Sequence, residues 1–205
     1  MLRHGVNIVN AGQFRLGSIL MSMLVVGAVM AADEDMRGFS DEGRRLANLI
    51  TSQVRSELVK ELERTGPIRA IVVCKYSVPE ITSTLSRQSG MRVTRVALRP
   101  RNPALAEPDA WEQRVLLDFE KRVAKGERAD MLEFAELVQE PAGKAMRYMK
   151  AIAMAQPCLH CHGPGAQIAD GVRAQLAAEY PNDRAIEYQV GQIRGAISVK
   201  KTTKD

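Results

Sequence analysis

Between Leu46 and Leu62 the apolar residues Leu46, Leu49, Ile50, Val54, Leu58 and Leu62 recur at steps of three and four, with charges between them. That period predicts an amphipathic helix over 40–65, with Ser40 or Asp41 as its cap and Gly66-Pro67 as its stop. Core packing is the expected use of its apolar face, and a homo-oligomer contact is the alternative. The β-branched run Ile68 to Cys74 fits a buried strand or a helix turn, and periodicity does not separate them. Pro79 suits the first turn of a helix running to Ser89 and closed by Gly90.

Met91 to Leu98 alternates apolar with polar, as a half-buried strand does. Arg99-Pro100-Arg101-Asn102-Pro103 reads as a loop. Asp109 with Glu112 three residues later is a capping box, opening a helix that runs to about Lys125. Residues 130–154 predict a hairpin turning at Glu140-Pro141-Ala142-Gly143. A short helix over 169–179 and a last strand over 193–199 complete the pattern. Helices first, then strands with helices between them, predict an α+β domain built on an antiparallel sheet.

Upstream of these elements, Leu16 to Ala32 carries no charge, follows Arg3 and Arg15, and precedes Asp33-Glu34-Asp35. Val29-Met30-Ala31 offers small residues for cleavage. Residues 1–31 are therefore expected to be a signal peptide, with an uncleaved N-terminal anchor as the alternative, because the run falls short of the ~20 residues that span a bilayer. The remaining stretch, 32–205, is long enough for a single domain with a real core. Export would place it in the periplasm. The formal charge of +5 includes Arg3 and Arg15. No long basic block is present and aromatics make up only 4%, so nucleic-acid binding is not expected.

Candidate chemistry sits in Pro157-Cys158-Leu159-His160-Cys161-His162-Gly163. The chain holds three cysteines and three histidines, and two of each fall in this run. Cys-x-x-Cys-His is the attachment pattern of c-type haem. Cys158 and Cys161 would form thioethers to the porphyrin, and His162 would supply an axial nitrogen to the iron. Zinc would need about four ligands, and only Cys74 and His4 remain to complete the set. A redox dithiol would normally open a helix, which Pro157 and Gly163-Pro164-Gly165 interrupt. A structural disulfide leaves His162 without a purpose. Cys74 is then unpaired, and three uses compete: a small buried hydrophobe, an intermolecular disulfide, or the second axial ligand. Met131, Met146, Met149 and Met154 compete for that axial place, with an open site third. Arg99, Arg101 and Arg194 are candidates to pair with haem propionates, although surface salt bridging is the simpler use of each. Trp111 is expected in the core, and Tyr148 and Tyr188 are candidate pocket residues.

Four segments in order resemble the periplasmic PAS-like c-type haem domain family, formerly a domain of unknown function and known from a cyanobacterial monohaem cytochrome. They are Val73-Cys74-Lys75 with Pro79-Glu80-Ile81; Arg101-Asn102-Pro103 with Asp109-Ala110-Trp111-Glu112; Pro157 to Gly163; and Gly191 to Val199. The resemblance covers roughly 40–200. It implies a PAS-like antiparallel sheet flanked by helices, one covalent haem c, and His162 and Cys74 as the axial pair. Thiolate ligation would favour ferric iron.

Two functions are expected from that resemblance. One is an electron carrier with a redox partner protein. The other is a haem-based redox or gas sensor, taking a diatomic ligand such as nitric oxide or carbon monoxide and acting through a membrane signalling protein. Many relatives carry membrane-bound signalling modules, and no transmitter segment occurs up to Asp205, which turns the expectation toward electron carriage. No Ser/His/Asp set or carboxylate pair predicts an enzyme.

Overall fold

A computed structural model describes the backbone from Arg15 to Thr203 and the side chains from Asp33 to Thr203. The predicted signal segment, residues 1–31, lies outside the described residues apart from part of its backbone. The chain divides into one compact unit ending at Gly38 and another beginning at Phe39. Apart from the first part of α1, all that follows concerns the second.

Helix α1 spans Arg15–Thr65. It is already helical before Ser40, so neither Ser40 nor Asp41 caps it. Gly66, at φ 80°, ends it, and Pro67 opens α2, Pro67–Val72. The ambiguous run after Pro67 is therefore helical. A wide π-turn, Val73–Ser77, follows and leads into α3, Val78–Ser89. Pro79 explains the widening. Its ring would collide with the Lys75 carbonyl in an α-helix, and it has no N–H to offer. The chain instead makes the longer bond from Val78 N–H to the Val73 carbonyl. Gly90 closes α3 at φ 67°.

Four antiparallel strands form one sheet in the order β1-β4-β3-β2: β1 Arg92–Val96, β2 Glu133–Glu140, β3 Gly143–Ala153 and β4 Ile193–Thr202. The predicted hairpin is β2–β3, with Glu140 opposite Gly143. Short α4, Pro103–Ala106, interrupts the expected loop. Helix α5, Ala110–Ala124, has the predicted capping box: the Asp109 carboxylate accepts from Glu112 N–H, and the Glu112 carboxylate accepts from Asp109 N–H. Short α6, Leu159–His162, and α7, Asp170–Glu179, precede β4.

One sheet face packs on α5. Trp111, Val115, Leu116 and Phe119 meet Val96, Met149, Ala151, Ile193 and Ala196 there, so Trp111 is a core residue as expected. On the other face, Gly43 of α1 lies against the Tyr148 ring, close enough that a Cβ at 43 would come within 2.7 Å of it. Arg44 and Tyr148 both donate to Glu133, tying α1 to the hairpin. Further along α1, the apolar stripe changes its use. Leu46, Ala47 and Ile50 are buried, whereas Val54, Leu58 and Leu62 line a cavity.

Candidate functional site

That cavity has a volume of about 90 Å³. Its walls include Val54, Leu58 and Leu62 of α1, Ile71 of α2, Ile152 of β3 and Ile197 of β4. Into the same space come Cys74, Cys158, Cys161 and His162. All three cysteines are free thiols.

Each is placed by a local device. The π-turn carries Cys74, and the ion pair of Lys75 with Glu179 fastens that turn to α7. Cys158, Cys161 and His162 lie on a helical turn held between Pro157 and Gly163; a Cβ at 163 would come within 2.8 Å of the Leu159 carbonyl oxygen. Burial pushes the Cys161 thiol up to about 11.

His162 is buried, and its Nδ1 lies 2.6 Å from the Ala185 carbonyl. A carbonyl only accepts, so Nδ1 carries the proton and Nε2 keeps its lone pair. Burial, helped by the nearby Arg194 and Arg101 charges, pushes the imidazole pKa well down. The ring is therefore neutral, as a metal-ligating imidazole must be. Tyr188 stands edge-on to it, ring centres 6.3 Å apart.

The cavity's polar end is basic. Arg95, Arg101 and Arg194 line it, and they also line a second cavity of about 390 Å³ that reaches Lys75, Thr82, Asn102 and Tyr180. Cys74 and His162 belong to the wall shared by the two. Among the described residues no carboxylate lines either space. Arg101 is tied down on one edge: its Nε donates to Asp183 at 3.0 Å, and its Nη2 donates to the Cys161 and Ala185 carbonyls. Arg99 lies over the Tyr188 ring, 3.8 Å from its centre, and donates to the Ile186 carbonyl.

The remaining candidates are placed elsewhere. Met131 is 65% exposed, Met146 and Met149 are buried in the sheet, and Met154 packs with Ala185 and Tyr188. None of the four lines either cavity. Tyr148, a candidate pocket residue, serves the α1–sheet contact instead, and Tyr188 lines neither cavity but stands behind His162 and Arg194. Sequence reasoning missed Arg95, Tyr180 and the second cavity.

A bare metal ion does not suit this arrangement: among the described residues no three of His, Cys, Asp and Glu converge on one point. Haem does fit it. The set provides two thiols, a neutral imidazole with a free Nε2, a third thiol, an apolar wall for a macrocycle and cations for its carboxylates.

Fold and site together define an α+β domain, a four-stranded antiparallel sheet flanked by helices, with a thiol-bearing cavity on one sheet face. The chain belongs to the Tll0287-like family, whose model matches residues 28–201, as the ordered segments predicted. It is similar in fold to the crystal structure of the cyanobacterial heme-protein Tll0287, with a TM-score of 0.54 at 23% identity, covering 88% of this chain and 96% of that one. No curated protein matches it in sequence.

Proposed function

We propose that the protein is an exported monohaem c-type cytochrome. Cys158 and Cys161 hold the haem covalently, His162 and Cys74 are its axial ligands, and the protein acts as an electron carrier. The observation that carries this reading is the convergence of Cys74, distant in sequence, on the cavity that also holds Cys158, Cys161 and His162. Membership of a family that includes a heme-protein supports it.

When bound, haem supplies one-electron exchange at iron. The chain's own residues do the rest. Ala185 fixes the His162 tautomer, the Cys74 thiol would ligate as thiolate and favour the ferric state, and the α1 stripe excludes water from one side. The partner in this reading is a redox protein.

One observation favours a second reading, haem-based sensing of redox state or a diatomic gas through a membrane partner. Cys74 also borders the second cavity, which gives small molecules a route to its side of the site. Acid–acetone extraction of the purified exported form, followed by carbon monoxide titration of the reduced protein, tests both. Colour that stays with the polypeptide and ferrous iron that takes up no carbon monoxide support the carrier. Extracted colour contradicts covalent attachment, and rapid uptake favours the sensor.

A further inference from the structure

Arg194 is a buried cation of the site with little to compensate its charge. It is 7% exposed, and its Nε has no hydrogen-bond partner. Its Nη1 reaches only the Arg99 carbonyl, at 3.3 Å, and its guanidinium lies 5.5 Å from the Tyr188 ring centre. Arg147, the other arginine with an unpartnered buried Nε, differs: it meets Asp109, Glu112 and Glu140. A buried guanidinium facing no carboxylate is costly to maintain, and burial with the neighbouring Arg95 charge pulls its pKa down to about 10.

The strand is shaped to keep it there. Ile152 pairs with Gly195, but the next residue, Ala153, pairs with Ile193. Arg194 is thus the extra residue of a β-bulge, a device that re-aims a side chain. Strict alternation would put Ile193 and Ala196 on opposite faces, yet both pack in the α5 core. The bulge absorbs the difference and turns Arg194 to the side of Ile197, where both line the cavity. Gly195 permits it, since a Cβ there would collide with the Val96 carbonyl oxygen.

We propose that Arg194, with Arg95 beside it, is a buried carboxylate receptor in the wall shared by the two cavities, and that it takes a propionate of the haem. The claim rests on the haem reading above and narrows it. Arg101 already has a carboxylate partner in Asp183 and donates to two carbonyls, and Arg99 is turned onto Tyr188 and lines neither cavity, so Arg194 is the one of the three expected partners that lines the cavities without a carboxylate of its own. The occupant is amphiphilic because the cavity is: mostly apolar along α1, where Arg55 is the one charged residue among the described lining, and cationic where β1 and β4 meet it. A free small carboxylate entering by the second cavity presents the same chemistry, and the test separates the two.

Resonance Raman spectra of the haem-loaded protein are compared for the wild type, Arg194→Gln, Arg194→Lys and Arg95→Gln, together with reduction potentials and with acetate and succinate titrations. The receptor predicts a shifted propionate bending band and a lowered potential in Arg194→Gln, both largely restored in Arg194→Lys, with a smaller shift of the same sign in Arg95→Gln. Acetate and succinate leave the wild type unchanged. An unmoved propionate band in Arg194→Gln overturns the proposal. Where that variant yields no folded protein, an unmoved band in Arg95→Gln overturns it instead. Saturable acetate or succinate binding that Arg194→Gln abolishes assigns the receptor to a free acid and overturns the propionate. A wild type without acid–acetone-resistant haem overturns the covalent-haem reading, whatever the arginines do.

Discussion

At the scale of the residue, position matters more than residue type. Three thiols differ only in where the backbone puts them, and His162 is set apart from His160 by burial and by its bond to Ala185. Gly195 is the clearest case of backbone necessity. Its missing Cβ lets β1 lie close to β4, and an added methyl would also come within 3.1 Å of the Ala97 Cβ. Both obstacles are backbone or short side chain, so neither can rotate away. Gly195→Ala is expected to cost about 3 kcal/mol, read as a lower urea midpoint with an unchanged slope. An unchanged midpoint would mean that the bulge can relax.

Among the elements, those with a strong period were legible in the sequence. The amphipathic helix, the Asp109–Glu112 capping box, the β2–β3 hairpin and the last strand all follow from spacing and turn residues. The run Ile68 to Cys74 was not decided by its sequence, because a buried β-branched stretch satisfies a strand and a helix alike; Gly66 and the packing of Ile71 on Ile168, Val172, Leu176 and Tyr180 settle it. The bulge at Arg194 left no periodic mark, since one inserted residue changes facing without changing composition. That is why Arg194 was a candidate among three and Arg95 was not considered. The π-turn has a sequence cause in Pro79, but one that reads equally well as an ordinary first-turn proline. Pro79→Ala restores an N–H and removes the clash with the Lys75 carbonyl, so the turn is expected to tighten and rotate Cys74 off the cavity wall. Circular dichroism should show an intact fold while the haem absorption bands broaden or split. Bands identical to the wild type would show that Cys74 does not depend on the π-turn.

Considered as a whole, the molecule is a sheet with different work on its two faces. The α5 face is a closed apolar core. The α1 face is divided between packing and cavity, and the α1 helix is tied to the hairpin by Arg44, Glu133 and Tyr148. The Arg44 guanidinium, and after it the Tyr148 hydroxyl, hold the Glu133 carboxyl below the usual range against the opposing effect of burial. A carboxyl whose folded pKa is depressed contributes stability above its unfolded pKa of ~4.3, and that contribution is lost as pH falls through the folded value. Acidification from pH 5 toward 3 should therefore destabilise the wild type more than Glu133→Gln, read as the difference in urea midpoint across that range. Equal losses would remove Glu133 from the acid response.

Central to the proposed function is iron held between His162 and Cys74. Its most direct test is the ferric absorption spectrum, with the reduction potential, of the purified haem-loaded protein beside Cys74→Ala. Loss of the thiolate should change the ferric spectrum and raise the potential; an unchanged spectrum would give the sixth position to another ligand and contradict the ligation by Cys74.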